Sequence, residues 1–103
     1  MGFWDLKTLT LEEFRPGILS KIESGSNLTM ACMKISANKE GVAHEHPFDQ
    51  CGMVVEGEIE MSIGEEKKLL RSMETYFISA GVKHNWKTTV LSAKILDVVV
   101  KQG

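Results

Sequence analysis

Residues 44–58 read His44-Glu45-His46-Pro47-Phe48-Asp49-Gln50-Cys51-Gly52-Met53-Val54-Val55-Glu56-Gly57-Glu58. In an extended chain alternate side chains share a face, so His44 and His46 project together and Gln50 keeps their parity. Glu45 then points the other way, as a solvated surface residue. The third and last histidine, His84, opens a later β-type run that an antiparallel barrel can bring beside the first group. A lone histidine is ordinarily a hydrogen-bonded surface or core residue, but four donors converging on one point are a metal-site pattern. Imidazole nitrogens with one amide oxygen from His44, His46, Gln50 and His84 suit one divalent transition metal (Zn, Ni, Mn, Fe or Co) and argue against an all-oxygen cage for calcium or magnesium. Four protein donors leave a six-coordinate ion about two positions for water or substrate.

Outward from this stretch the chain divides into short β-type runs separated by Gly, Asn, Ser and charged turns. The pattern predicts strands over 18–22, 28–36, 42–46, 50–55, 58–63, 68–71, 75–78, 84–87 and 90–100. Many short strands with little helix predict an all-β barrel or jelly roll. Between Glu58 and Ile63 the apolar Ile59, Met61 and Ile63 share one face, the period-two mark of a half-buried strand. Gly57 is expected to turn a hairpin, and Ser24-Gly25-Ser26-Asn27 and Gly64-Glu65-Glu66 to supply residues tolerant of positive φ. Asp5 to Phe14, with Thr10 as N-cap, is expected to form one helical turn stopped by Arg15-Pro16-Gly17. In the last run Asp97 shares parity with Leu91, Ala93, Ile95 and Val99. Its carboxylate either faces the pocket or sits on the surface beside Lys94 or Lys101.

The 103 residues, 43% of them hydrophobic, suffice for one domain with a core of its own. We expect a single domain over 1–103, with an N-terminal arm and first strands over 1–27 and the barrel over 28–100. Twelve basic and 14 acidic side chains give a net charge of −2 without a basic block, which excludes a phosphate-backbone surface and so a nucleic-acid partner. No run approaches membrane-spanning length and the start lacks a secretory pattern, so a cytoplasmic location without membrane contact is expected. Leu6 stands where a myristoylation motif needs Ser or Thr. Cys32 and Cys51 are two lone cysteines rather than a framework, read as free thiols with a redox pair as the alternative.

Read as His44-x-His46-xxx-Gln50-xxxxxx-Gly57 followed by Ser79-x-Gly81-xx-His84, residues 28 to 100 resemble the two motifs of the cupin superfamily, whose fold is the double-stranded β-helix, an RmlC-like jelly-roll barrel. The run from His44 to Glu58 is most similar to the small cupins that linearise 4,5-unsaturated uronates in pectin degradation. That branch carries the same three histidines and glutamine, and an aspartate in its last strand that Asp97 matches. The resemblance implies a metal that stabilises an enolate while Asp97 moves a proton. Phe48, Met61 and Trp86 are expected as pocket walls, with ordinary core packing as their alternative.

Several positions depart from the pattern. Ser79 replaces the usual proline, and Met73-Glu74 stands where Gly-Asp is frequent, which predicts looser turns. None of Lys101, Gln102 and Gly103 is the arginine that the branch places beyond its aspartate, leaving Arg15 or Arg71 to recognise a carboxylate. Three functions therefore stand open: metal-assisted proton transfer on a small polar or sugar-derived substrate, an Fe- or Mn-dependent dioxygenase, and a non-catalytic module that binds a small ligand or metal. Monodomain cupins are commonly homodimers, and Phe3, Trp4 and Leu6 of the arm are expected in that interface.

Overall fold

A computed structural model describes residues 2–101; Met1, Gln102 and Gly103 lie outside the described residues, and with them part of the C-terminal stretch that offers no arginine. Seven antiparallel strands form the fold: β1 (Glu12–Arg15), β2 (Ile18–Ser24), β3 (Leu28–Ile35), β4 (Gln50–Ile63), β5 (Glu66–Arg71), β6 (Thr75–Ile78) and β7 (His84–Val100). They hydrogen-bond in the order β1-β2-β3-β7-β4-β5, with β6 on β4. No helix forms among the described residues, so the expected turn of helix after Thr10 is absent. Asp5 instead closes a bend, its backbone oxygen accepting from the N–H groups of Thr8 and Leu9. Glu12 to Arg15 then extend because β2 offers them a ladder.

Two long strands organise the barrel. β4 pairs with β6 through Gln50–Met53 and with β5 through Glu58–Ile63, while β7 lies against β4 along nearly its whole length and against β3 on its other edge. The runs read as separate strands at 50–55 and 58–63, and at 84–87 and 90–100, are therefore continuous. Gly57 bends β4 rather than turning it: its φ is +76°, and it lies amid register shifts between Val54 and Glu56 and between Gly57 and Ile59. A Cβ there would strike the Ser92 carbonyl of β7, so glycine is needed for close approach as well as for φ.

The expected strand over 42–46 is not formed; only single bridges, Glu40 with Lys87 and His44 with His84, tie this segment to β7. The turns also differ in kind from expectation. Gly64 (φ +60°) behaves as anticipated, whereas neither Gly25 nor Asn27 has a positive φ. Met73 does, at +74°, at the position where the resemblance to cupins anticipated glycine. Its turn is tied rather than loose: Met73 N–H donates to the Val54 carbonyl (2.9 Å), and Arg71 N–H to the Glu74 carboxylate (2.8 Å).

The interior is filled by alternate residues of the strands, with Ile18, Ile35, Val54, Ile59, Met61, Leu70, Ile78, Ala93 and Ile95 all buried. Ile59 and Met61 face inward as their alternation predicted, with Ile63 partly buried beside them. Polar residues interrupt this lining, Tyr76 and Asp97 among them. They mark where the core becomes a site.

Candidate metal centre and cavity

The histidines reach one another by a route that differs from simple strand parity. His44 exchanges backbone hydrogen bonds with His84 (3.0 and 2.9 Å) at the start of β7. The chain then bends through Pro47-Phe48-Asp49 before Gln50 opens β4. That bend is held by the Asp49 carboxylate, which accepts from Ala80 N–H at 2.9 Å, and by the His46 carbonyl, which accepts from Gly81 N–H at 2.8 Å. The two motif segments are thus stitched together directly, and the turn at Ser79 holds without proline.

Candidate ligand atoms of His44, His46 and His84 lie within 4.8 Å of one another. Each imidazole places Nδ1 2.9 Å from a backbone carbonyl: His44 on Val42, His46 on Phe48 and His84 on Val82. Such a bond puts the proton on Nδ1 and leaves Nε2 as a lone pair, the tautomer of a metal ligand. His84 Nε2 is buried and has no hydrogen-bond partner among the described residues. Burial, followed by its histidine neighbours, lowers the pKa of His84 and so favours the neutral, ligating form.

Gln50 supplies a sharper indication. Its Oε1 lies 2.9 Å from His46 Nε2, while its Nε2 donates to both Asp97 oxygens at 2.9 and 3.1 Å. Reversing the amide would set its oxygen against the Asp97 carboxylate, so Asp97 fixes the orientation. With Nδ1 of His46 donating to Phe48, two acceptors face each other at His46 Nε2 and Gln50 Oε1. A cation between them, or a proton, resolves the conflict. Two cis ligands at metal bond lengths of about 2.1 Å stand roughly 3.0 Å apart, so the spacing fits a shared ion. The donor set therefore fits a divalent transition metal.

Behind Gln50, Asp97 is only 5% exposed and Tyr76 6%. The Tyr76 hydroxyl donates to Asp97 Oδ1 at 2.5 Å. Gly52 makes room for this ring, since a Cβ there would strike the phenol oxygen and the Leu96 carbonyl. Burial pushes the Asp97 carboxyl above the usual carboxylate range, opposed by the bonds from Tyr76 and Gln50. Burial first, and then the Asp97 charge, raise the Tyr76 phenol, which therefore stays a donor. Asp97 is not a surface carboxylate paired with Lys94 or Lys101: the Lys94 ammonium donates to the Leu6 carbonyl instead, and Lys101 is exposed with its N–H on Asn27. Tyr76 was not among the residues singled out from sequence, although Thr75-Tyr76-Phe77-Ile78 alternates. A tyrosine on the inward face needs a partner for its hydroxyl, and that was the available signal.

A cavity of about 110 Å³ opens onto these groups, with His44, Gln50, His84 and Asp97 in its wall. Met61 and Trp86 also line it. Phe48 does not line this cavity; its ring stacks on His46 with centroids 4.0 Å apart and planes 3° from parallel, while its carbonyl orients the same imidazole. Of the two arginines, Arg15 lines the cavity, whereas Arg71 is held against Glu58 at 3.4 Å.

An antiparallel barrel with histidines gathered at one end is the architecture of the cupins, and residues 31–99 match the cupin-domain family; the chain belongs to that family. KdgF from Halomonas sp. superposes with a TM-score of 0.84 at 23% identity, covering 100% of this chain and 96% of that one. An RmlC-like cupin from Shewanella frigidimarina gives 0.83 at 19% identity, covering 99% and 92%. TT1209 from Thermus thermophilus gives 0.85 at 22% identity over 100% of both chains. At these identities the likeness is one of fold. Comparison with curated proteins finds no match.

Proposed function

We propose that this chain is a metal-dependent enzyme that moves a proton on a small polar, sugar-derived substrate, the linearisation of an unsaturated uronate being its reaction. His44, His46, Gln50 and His84 would hold the ion, which when bound supplies a Lewis acid for the oxygens of an enolate. Asp97 would carry the proton. The observation that supports this assignment most directly is the Gln50 amide, whose oxygen faces His46 while its one nitrogen holds both oxygens of Asp97. One side chain thereby sets the distance between the electrophilic and the acid–base halves of the site. Tyr76 and Gln50 fix the Asp97 carboxylate in one orientation, and burial raises its pKa above the usual carboxylate range, which makes it a stronger base than an exposed carboxylate. Met61 and Trp86 would shield the reacting end from water.

The run from His44 to Glu58 supports the uronate reading by its resemblance to the pectin-degrading branch, and the fold is similar to that of KdgF. The working unit in this proposal is a cytoplasmic homodimer. Phe3 is 98% exposed and is offered as part of the interface with Trp4 and Leu6. Among the described residues no helix is long and apolar enough to cross a membrane.

The test is conversion of a 4,5-unsaturated uronate by protein loaded in turn with Zn, Ni, Mn and Fe, followed by loss of the C=C absorbance with and without oxygen. Turnover in both atmospheres is expected, and Asp97→Asn should lose about 10²–10⁴-fold in kcat with metal content unchanged. An unchanged substrate at full metal occupancy refutes the proposal, as does an Asp97→Asn variant as active as the parent. Turnover confined to the oxygenated sample would assign the site to a dioxygenase instead.

A further inference from the structure

The cavity has one charged group that neither the histidines nor Asp97 account for. Arg15 lines it, and among the described residues no carboxylate pairs with its guanidinium. Its position follows from an irregularity in β1. Glu12 pairs with Ser20 and Glu13 with Leu19, so a regular ladder would next set Phe14 opposite Ile18. Instead Arg15 takes that place and Phe14 is the inserted residue of a bulge. Directly opposed residues share a face of the sheet, and Ile18 is buried and lines the same cavity. Without the bulge, alternation would turn Arg15 to the outer face. A bulge beside a site commonly re-aims a side chain in this way. The displaced Phe14 then serves as a platform, its ring centroid 5.6 Å from the Arg15 guanidinium carbon, within cation–π range.

We infer that Arg15 is the anion anchor of this cavity and that the ligand is a small carboxylate held at the β1 side. The assignment rests on the reading of the cavity as a substrate site, but not on any reaction there. A planar guanidinium without a carboxylate partner among the described residues suits a carboxylate bidentately. The histidines and Gln50 carry no negative charge in any form, and Asp97 already has its donors. At about 110 Å³ the cavity admits only one end of a sugar-sized molecule. The remainder must lie toward the exposed rim, where Arg15 stands.

Binding of D-galacturonate and of D-galactose, which differ at the carboxylate, can be measured by calorimetry on metal-loaded protein. The parent should bind the acid more tightly than the neutral sugar. Arg15→Ala should weaken the acid about tenfold, or roughly 1.4 kcal/mol, and leave the neutral sugar and the metal stoichiometry unchanged. Arg15→Lys should recover only part of the loss, and Arg71→Ala none should be lost at all. A parent without preference for the acid, or one that binds neither sugar, overturns the inference, as does an Arg15→Ala variant that retains full affinity. Uronate turnover with an inert Arg15 would remove the anchor and leave the reaction standing. An effective Arg15 in a protein without turnover would do the reverse.

Discussion

Tyr76→Phe removes one oxygen from a site where its loss can be calculated. The hydroxyl donates to Asp97 Oδ1 at 2.5 Å, and both residues are buried, at 6% and 5% exposure. Without it Oδ1 keeps only the Gln50 contact at 2.9 Å. A hydrogen bond to an ionised partner contributes about 1.5–3 kcal/mol, and no water replaces it if the pocket stays closed. For a domain of this size each kcal/mol moves Tm by about 4–8 °C, so a fall on the order of 10 °C or more is expected. Urea and thermal unfolding of the parent, Tyr76→Phe, Asp97→Ala and the double variant, in chelator so that no bound ion adds stability, isolate the pair as a coupling energy.

The pH dependence has a definite sign. The folded pKa of Asp97 lies above its unfolded value, so its contribution to stability is present below the unfolded pKa and is lost as pH rises through the folded one. The Tyr76 bond lowers that pKa, so the phenylalanine variant has the higher folded value and its deficit against the parent grows with pH. At acid pH, with Asp97 protonated, the deficit should shrink to the roughly 0.5–1.5 kcal/mol of a neutral bond. A coupling energy below about 0.5 kcal/mol at neutral pH, or a deficit that grows on acidification, would refute the reasoning.

Three further outcomes are expected. Met73→Gly should stabilise the protein by about 0.5–1 kcal/mol in urea unfolding, because Met73 holds φ +74° with its side chain 79% exposed and so gives up little packing. Cys32 should resist iodoacetamide in the native protein and react only on unfolding, since it is 0% exposed and burial pushes its thiol upward; labelling before unfolding by mass spectrometry would contradict this. Deleting residues 1–9 should halve the mass seen by light scattering and lower Tm, also removing the Leu6 carbonyl that accepts from buried Lys94; unchanged mass removes the arm from the interface.

The core strands and the metal motif were legible because both depend on local spacing. Thr75–Ile78 alternates cleanly, and its strand has the bounds its sequence predicts. The donors at 44, 46, 50 and 84 converge even though the segment from Val42 to His46 is not a strand, since contacts with β7 and the 79–81 turn do the positioning. Less legible was whatever depends on a partner strand. Gly57 looks like a turn until β7 is seen running opposite it. Arg15 and Phe14 have ordinary alternation in the sequence, and only the ladder to β2 sets Arg15 opposite Ile18, so that both residues line the cavity. The arm was misread as helical because Thr10 and Leu11-Glu12-Glu13 satisfy helix-start rules, while the edge of β2 offers four residues a hydrogen-bonded alternative.

The contact between Gln50 and Asp97 has an evolutionary consequence. Glutamate at position 50 would set a second carboxylate about as close to Asp97 as the present amide nitrogen, at 2.9 Å, and the two would have to share a proton. Each position thereby restricts its counterpart 47 residues away. A lineage can exchange the glutamine for an acid only by surrendering or neutralising the aspartate, so positions 50 and 97 are expected to vary together in descendants of this sequence.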